Sequence, residues 1–315
     1  MKTKFNVVGI GEVLWDLLLT GRKMGGAPAN FAYHAHALGA SSHAITRVGR
    51  DELGREIQAR FRELDLPTST VQQDDAAPTG TAKVSLSGDG LAHFTIQENV
   101  AWDYLDTTPE AQAVAREADA ICFGSLAQRS ATSRKTIHQL VASTPRQALR
   151  IFDVNLRQQY YSREVIEQSL CLANVLKLND DELLVLSTMF SVRGSTENQI
   201  EQLAKRFSTP QAGSATPTSG HAVIALTLGA RGSLLYRAGD GRWSDCQSRP
   251  VDVVDTVGAG DSFTAALVLG LLHHLDLDEI NSFANEVARY VCSQAGATPA
   301  MPAEFADKFR ALSSP

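Results

Sequence analysis

The sequence lacks three features that would each point to a particular class of protein. It has no excess of basic residues, since its formal net charge is -6, and this argues against a nucleic-acid partner. No apolar run reaches the roughly 18 residues of a membrane-spanning helix. Its four cysteines are scattered, with neither a C-x-x-C pair nor a metal-ligand spacing. We therefore expect reduced thiols in a soluble, cytoplasmic protein with neither membrane nor nucleic-acid partners.

The beginning of the chain allows two other interpretations, and both fit poorly. Met1-Lys-Thr-Lys4 before an apolar run is similar to a signal peptide, but Glu12 and Asp16 interrupt that run and no cleavage site follows. Gly9-Ile-Gly11 after a strand-like segment is similar to a dinucleotide-binding turn, but Leu14 stands where the third glycine belongs. We expect neither a secretion signal nor a dehydrogenase.

Strand-like and helix-like segments alternate along the 315 residues, as in a doubly wound α/β sheet. Apolar runs predict buried parallel strands at 5–10, 120–123, 150–154, 174–178 and 222–226. Asp16 follows the first of these, at the carboxyl end of a strand region, where such sheets hold their ligands. Residues 81–96 instead alternate polar and apolar side chains around a turn at Gly88-Asp-Gly90. We expect this hairpin to belong to a small, separate sheet.

The segment with the clearest chemistry is Asp255-Thr-Val-Gly-Ala-Gly-Asp261, between an apolar run at 250–254 that predicts a strand and a helix-forming run at 262–272. We expect the N–H groups of Gly258, Ala259 and Gly260 to be free at the helix N-terminus, where anions such as phosphate bind. The Asp261 carboxylate beside them is placed to accept a proton from an attacking hydroxyl. The alternative is a glycine-rich turn in which Asp261 only caps the helix.

Further polar groups have a structural interpretation beside a functional one. Gly25-Gly26 before Asn30 predicts either a tight turn or close approach of the backbone to a ligand. Asn179 and Glu182 have the spacing of a capping box, and the same pair can hold hydrated magnesium beside phosphates. Trp102 is equally well explained as core and as a platform for the apolar face of a sugar.

Five segments resemble, in order, the motifs of the ribokinase-like (PfkB) family of carbohydrate kinases, and together they span nearly the whole chain. They are Gly25 to Asn30, Asp153 to Arg157, Asn179 to Glu182, Thr227 to Gly232, and Asp255 to Asp261. The resemblance implies a three-layer α/β/α fold with a mainly parallel central sheet. It also implies one domain over 1–315, with a small β-sheet lid formed by about 13–24 and 79–102.

The resemblance implies a role for each matching position. Asp261 is the base, and the backbone of 257–260, including Gly258, Ala259 and Gly260, forms the anion hole. Arg157 lies near the transferring phosphate or the sugar. The residues implied to hold the sugar are Asp16, Gly26, Asn30 and Trp102. The residues implied to bind MgATP are Asn179, Glu182, Thr227, Gly229, Gly232 and Asn285, with Glu182 acting on the Mg²⁺ indirectly.

Within the family, the details favour fructokinase, with D-fructose as acceptor and ATP as donor. Ala27-Pro28 follow the double glycine where ribokinases and phosphofructokinases of the family carry a lysine, and Val100-Ala-Trp-Asp103 is similar to bacterial fructokinases. The alternatives are another acceptor (ribose, 2-keto-3-deoxygluconate or a nucleoside) and a non-catalytic sugar-binding regulator. A phosphorylated acceptor would need a basic pocket, which Arg22 and Lys23 could supply.

Many relatives bind a monovalent cation such as K⁺ near the anion hole. The resemblance implies such a site at Asp255, Val257 and Gly296, although Ala300 stands where a serine is usual. The exposed edge of the lid could pair with a second subunit, which would give a homodimer.

Overall fold

The structure, a computed structural model, describes residues 4–18, 21–86, 92–208 and 223–313. The strands, in chain order, are β1 (Asn6–Ile10), β2 (Leu14–Leu18), β3 (Gly21–Gly25), β4 (Ser41–Gly49), β5 (Val71–Asp74), β6 (Thr81–Leu86), β7 (Ala92–Ile96), β8 (Ala120–Phe123), β9 (Leu149–Asp153), β10 (Val175–Asn179), β11 (Val223–Thr227), β12 (Ser233–Arg237) and β13 (Arg242–Cys246). The α-helices are α1 (Ala27–Ala37), α2 (Glu52–Glu63), α3 (Pro109–Arg116), α4 (Ala131–Ala142), α5 (Arg163–Leu172), α6 (Asp180–Phe190), α7 (Thr196–Ser208), α8 (Ala259–Leu272), α9 (Leu277–Cys292) and α10 (Ala303–Ser313).

The large sheet has the order β13-β12-β11-β10-β9-β8-β1-β4-β5. The strands from β11 to β5 are parallel, and the β12–β13 hairpin adds antiparallel strands at one edge. Parallel strands covered on both faces are mostly apolar, and β8 (Ala-Ile-Cys-Phe) is fully buried. The predicted strands at 5–10, 120–123, 150–154, 174–178 and 222–226 are confirmed within one residue at either end.

Helices cover the large sheet on both faces. One core contains the apolar sides of α3 to α7, and the other contains those of α1, α8, α9 and α10. The helix α8 lies inside the second core, because every residue from Ser262 to Gly270 is buried. The predicted three-layer α/β/α fold with a mainly parallel central sheet is confirmed.

The small sheet has the order β3-β2-β6-β7. Its strands fall within the segments expected to form a lid, about 13–24 and 79–102, except that β3 ends one residue later at Gly25, and the predicted hairpin is the antiparallel pair β6–β7. The expected turn at 88–90 lies outside the described residues. That this sheet acts as a lid stays a prediction.

Two local predictions are wrong. Residues 250–254 form no strand, because Val254 N and Asp255 N both donate to the carbonyl oxygen of Cys292 (2.9 and 3.2 Å), which ties this segment to the end of α9. Asp16 lies within β2 of the small sheet, since the chain turns into a second strand only four residues after β1 ends. Within the described ranges, no helix is both long and apolar enough to cross a membrane.

Candidate active site

The turn before α8 is fixed by a glycine. Gly258 is the N-cap residue with a φ of 82°, in the left-handed region that glycine adopts without strain. A Cβ atom at this position would lie 2.4 Å from the carbonyl oxygen of Ala297. Only glycine therefore allows the turn to lie against the loop that follows α9.

The N-terminus of α8 offers unpaired backbone donors. Among the described residues, the N–H groups of Gly258 and Gly260 donate to no protein acceptor. The prediction that Ala259 also has a free N–H is wrong, because this group donates to the Thr256 oxygen inside the turn, over 3.3 Å. Free N–H groups at a helix N-terminus attract anions, so the turn can hold a phosphate.

Asp261 lies in the first turn of α8, partly exposed beside these donors. The side-chain amide nitrogen of Asn30, on α1, donates to its Oδ2 over 2.8 Å. Burial, with a contribution from the charge of Asp153, raises the pKa of Asp261 to about 6, although the Asn30 hydrogen bond opposes the rise. A carboxyl with this pKa is mostly ionised at pH 7 and is a better proton acceptor than an ordinary aspartate.

A buried lysine lies beneath the turn, and the sequence interpretation missed it. Lys177, in the middle of β10, places Nζ 3.1 Å from Oδ1 of Asp153 and 3.1 Å from the point where a Cβ of Gly260 would stand. The Thr264 hydroxyl donates to the other oxygen of Asp153. Burial opposes the charge of Lys177, but the carboxylates of Asp153, Glu182 and Asp261 raise its pKa. The signal in the sequence is a lysine inside an otherwise apolar parallel strand.

Arg157 is the common electrostatic partner of three carboxyls. Its charge acts to lower the pKa of Glu12, Asp16 and Asp261, each of which burial raises. Glu12 stands two residues after the end of β1 and is 1% exposed, and its pKa is raised to about 7. The sequence interpretation gave Glu12 no role, although a glutamate just past the carboxyl end of a buried strand is a signal of a ligand site in such a sheet.

Two buried acceptor atoms near Asp261 have no hydrogen-bond donor among the described residues. They are Oε2 of Glu12 and Oδ1 of Asn30. Buried polar atoms are nearly always satisfied, so two unsatisfied acceptors beside the Asp261 carboxyl point to a ligand that donates hydrogen bonds. Polyhydroxylated molecules carry such donors.

The double glycine is explained by close packing against these acidic residues. Gly26 has a φ of 114°, and a Cβ there would lie 2.5 Å from the Glu12 carbonyl oxygen. A Cβ at Gly25 would lie 2.5 Å from Oδ2 of Asp16. The turn thus brings β3 and α1 against the segment that carries Glu12 and Asp16.

Asn179 and Glu182 form the predicted capping box at the start of α6. Asn179 Oδ1 accepts from the Glu182 N–H, and Glu182 Oε2 accepts from the Asn179 N–H, both over 2.8 Å. Oε1 of Glu182 accepts from the Leu156 N–H over 3.0 Å. Since both carboxylate oxygens bind backbone donors, the pair fits a magnesium ion that keeps its own waters better than one bound directly.

Of the other residues expected at the nucleotide, Thr227, Gly229 and Gly232 lie at or just after the end of β11, and Asn285 lies on α9. Thr227 is paired with Asn179 across β10 and β11, so the two ends of the strands are adjacent. Gly229 and Gly232 follow with positive φ values of 58° and 102°. The amide nitrogen of Asn285 is already engaged, because it donates to the Ser233 hydroxyl and to the Asn281 carbonyl oxygen.

Trp102 does not reach the site. Its side chain is 0% exposed and packs in the core, with the Arg129 guanidinium 4.0 Å from its ring centroid. Arg129 is held over this ring by Asp103, at 2.8 Å. The core interpretation of Trp102 fits the structure, since a fully buried ring presents no surface to a sugar.

The sequence comparison identifies the protein's family. Residues 20–304 match the pfkB family carbohydrate kinase domain. The chain belongs to this family. It is therefore a carbohydrate kinase, a phosphotransferase, as the five motifs predicted.

This pfkB kinase is similar to named relatives over nearly its whole length. A fructokinase of Klebsiella pneumoniae is 30% identical over 292 residues, which cover 89% of this chain and 88% of the relative. An uncharacterized sugar kinase from Pyrococcus horikoshii in complex with ATP has a TM-score of 0.78 at 27% identity, covering 98% of this chain and 100% of that one. A fructokinase with bound ATP from Xylella fastidiosa has a TM-score of 0.79 at 22% identity, with 98% of each chain covered, and shows the common fold.

Arg22 and Lys23, on β3, are both engaged by acidic partners. Arg22 pairs with Glu56 and stacks over the Trp15 ring, 5.4 Å from its centroid. Lys23 Nζ lies 3.0 Å from Oδ2 of Asp255. In this structure both side chains are therefore paired with carboxylates of the protein rather than free to form the basic pocket that a phosphorylated acceptor would need.

Proposed function

We propose that this kinase transfers the γ-phosphoryl group of ATP to a hydroxyl of D-fructose, giving fructose 6-phosphate and ADP, with Asp261 as the base. The observation that carries the proposal is the carboxyl of Asp261 beside the unpaired N–H groups of Gly258 and Gly260. A base for a hydroxyl and a cradle for a phosphoryl group thus adjoin at one helix N-terminus.

In this mechanism, Asp261 takes the proton of the acceptor hydroxyl while the oxygen of that hydroxyl forms a bond to the γ-phosphorus. The bond from that phosphorus to the oxygen bridging to ADP breaks, and the departing phosphate of ADP keeps the electron pair. The N–H groups of Gly258 and Gly260 and the charge of Lys177 stabilise the negative charge on the phosphoryl oxygens. Asn30 keeps Asp261 oriented throughout. Magnesium bound with ATP would neutralise phosphate charge, and Glu182 would hold it through a water molecule.

The unfilled acceptor atoms support a sugar as the phosphoryl acceptor. Oδ1 of Asn30 and Oε2 of Glu12 lie in the group of residues around Asp261 and Arg157, and each can accept from a sugar hydroxyl. Asp16, which faces the same arginine, would add a third acceptor. A binding regulator would need these acceptors but not a carboxyl of raised pKa beside an anion hole, and this favours an enzyme.

One observation favours fructose as the acceptor, and a second disfavours a phosphorylated acceptor. The Klebsiella pneumoniae relative is named a fructokinase. The ion pairs of Arg22 and Lys23 also disfavour a phosphorylated sugar. Ribose, 2-keto-3-deoxygluconate and nucleosides remain alternative acceptors for the same chemistry.

The test is ADP release from MgATP with fructose, ribose, ketodeoxygluconate, fructose 6-phosphate and adenosine as acceptors. We expect turnover on fructose and none on fructose 6-phosphate. Turnover on a different acceptor would keep the mechanism and refute fructose as the substrate. Binding of a sugar without turnover on any acceptor would refute the kinase proposal and favour a regulator.

A further inference from the structure

The family resemblance implies a monovalent cation beside the anion hole, and the residues of this chain do not fit one. Such a site would use the Asp255 carboxylate together with oxygen atoms near Val257 and Gly296. Here the carboxylate already accepts two hydrogen bonds from the backbone. Its Oδ1 accepts from the Val257 N–H over 3.1 Å, and its Oδ2 accepts from the Gly296 N–H over 3.0 Å.

The second oxygen also accepts from an ammonium group. Nζ of Lys23, on β3, lies 3.0 Å from Oδ2 of Asp255. The lysine side chain passes next to Gly296 on its way to this point: a Cβ atom at Gly296 would lie 3.9 Å from Cδ of Lys23. A potassium ion bound to the same carboxylate would lie within a few ångströms of the ammonium, and like charges at that distance oppose each other.

The nearby loop offers a cation only part of its oxygen atoms: among the described residues, the carbonyl oxygens of Val257 and Gly296 accept no hydrogen bond, whereas others are engaged. Position 300 is alanine and provides no hydroxyl. The carbonyl oxygens of Ala297, Pro299 and Ala300 accept from the side chains of His34, Tyr33 and Tyr290, over 2.9, 2.7 and 2.8 Å. A potassium ion needs several oxygen ligands to replace its hydration shell.

We infer that the Lys23 ammonium takes the place of the monovalent cation at Asp255, so that this kinase needs no K⁺. The lysine supplies the positive charge and donates a hydrogen bond that a metal ion cannot donate. Hydrogen bonds from Val257, Lys23 and Gly296 lower the pKa of Asp255 despite its partial burial, so the carboxylate stays ionised. It then holds Val257 and Gly296 on the two sides of the anion-hole turn.

The test compares thermal unfolding in KCl with unfolding in tetramethylammonium chloride at the same ionic strength. This readout is independent of activity, so its outcome does not depend on the proposed acceptor. We expect the wild-type melting temperature to be the same in the two salts. Lys23→Met frees the carboxylate, and its melting temperature should rise saturably with K⁺, by roughly 2 °C at K⁺ concentrations well above its dissociation constant.

The controls separate the site from general effects of charge. Arg22→Met removes the neighbouring cation of the same strand and should leave the melting temperature insensitive to K⁺. Lys23→Arg should also stay insensitive, and Lys23→Ala should respond as Lys23→Met does. Adding Asp255→Asn to Lys23→Met should abolish the response.

Two outcomes would overturn the inference. A saturable stabilisation of the wild-type protein by K⁺ would show that a cation binds with Lys23 in place. If the melting temperatures of Lys23→Met and of Lys23→Ala were each the same in KCl as in tetramethylammonium chloride, the Lys23 ammonium would not stand in a cation site. In the activity assay, the wild-type turnover should change less than twofold between the two salts, and a larger activation by K⁺ would contradict the inference.

Discussion

Replacing Asn30 by alanine should shift the pH dependence of the reaction. In the proposed mechanism Asp261 must be ionised to take a proton, and its pKa is raised to about 6. The value of kcat/KM should therefore rise with pH and level off above that point. Asn30→Ala removes the donor that lies 2.8 Å from Oδ2 and favours the ionised form.

The size of the shift follows from the strength of that hydrogen bond. A hydrogen bond to a charged group contributes about 1.5–3 kcal/mol when both groups are buried. One pKa unit corresponds to about 1.4 kcal/mol. Asp261 is partly exposed, and water can replace part of the bond. We therefore expect the rising part of the kcat/KM profile at low pH, its acid limb, to move up by about one pH unit. The ionised fraction would then fall from about one half to about one tenth at pH 6, and hardly change at pH 8.

The assay is kcat/KM for the acceptor from pH 5 to 9, measured for the wild type, Asn30→Ala and the surface control Asn198→Ala. The position of the limb is diagnostic, because Asn30→Ala can also weaken sugar binding and lower the whole curve. The control should leave the limb in place. An Asn30→Ala curve that is lower but has its limb at the wild-type pH would refute the assignment of the limb to Asp261.

Three further predictions concern residues around the same turn. Glu12→Gln should stabilise the protein more as the pH rises. The pKa of Glu12 is raised from 4.5 to about 7 by folding, so ionising this buried carboxyl lowers wild-type stability between those two pH values, and glutamine cannot ionise. Chemical unfolding should show a gain in unfolding free energy of up to about 3 kcal/mol at pH 8 and almost none at pH 4.5. Lys177→Met leaves Asp153 buried without its partner and should cost about 3–5 kcal/mol of unfolding free energy, whereas a loss below 1 kcal/mol would show that the pair is not buried as described. Gly258→Ala puts a Cβ 2.4 Å from the Ala297 oxygen at a positive φ, so kcat should fall at least about tenfold with the fold retained in circular dichroism; unchanged kcat would contradict the role of this turn.

Much of the fold could be predicted from the sequence because buried parallel strands appear in it as short apolar runs. The run at 120–123 is apolar on both faces, and helical segments lie between the strands, so the alternation predicted a doubly wound sheet, and the family resemblance implied the three layers. The apolar run at 250–254 shows the limit of this signal. Val253 and Val254 are more than 60% exposed, and only the contact with Cys292 on α9 explains why no strand forms.

The site was predictable where the chemistry lies in one segment and was not where it depends on contacts between segments. The turn at 258–261 and the capping box at 179–182 are local, and the sequence placed both. The importance of Lys177 and Glu12 depends on their interactions with residues of other segments, namely Asp153, Asp261 and Arg157, which the sequence does not show. The same holds for Lys23, whose partner Asp255 is 232 positions away.

The most direct test of the account is Asp261→Asn. The amide keeps the size of the side chain but cannot accept the proton of the acceptor hydroxyl. We predict that kcat falls by about 10²–10⁴-fold, while the dissociation constants for the sugar and for MgATP change less than about threefold in calorimetry. An enzyme that kept most of its turnover with asparagine at this position would contradict the assignment of Asp261 as the base, and with it the proposed mechanism.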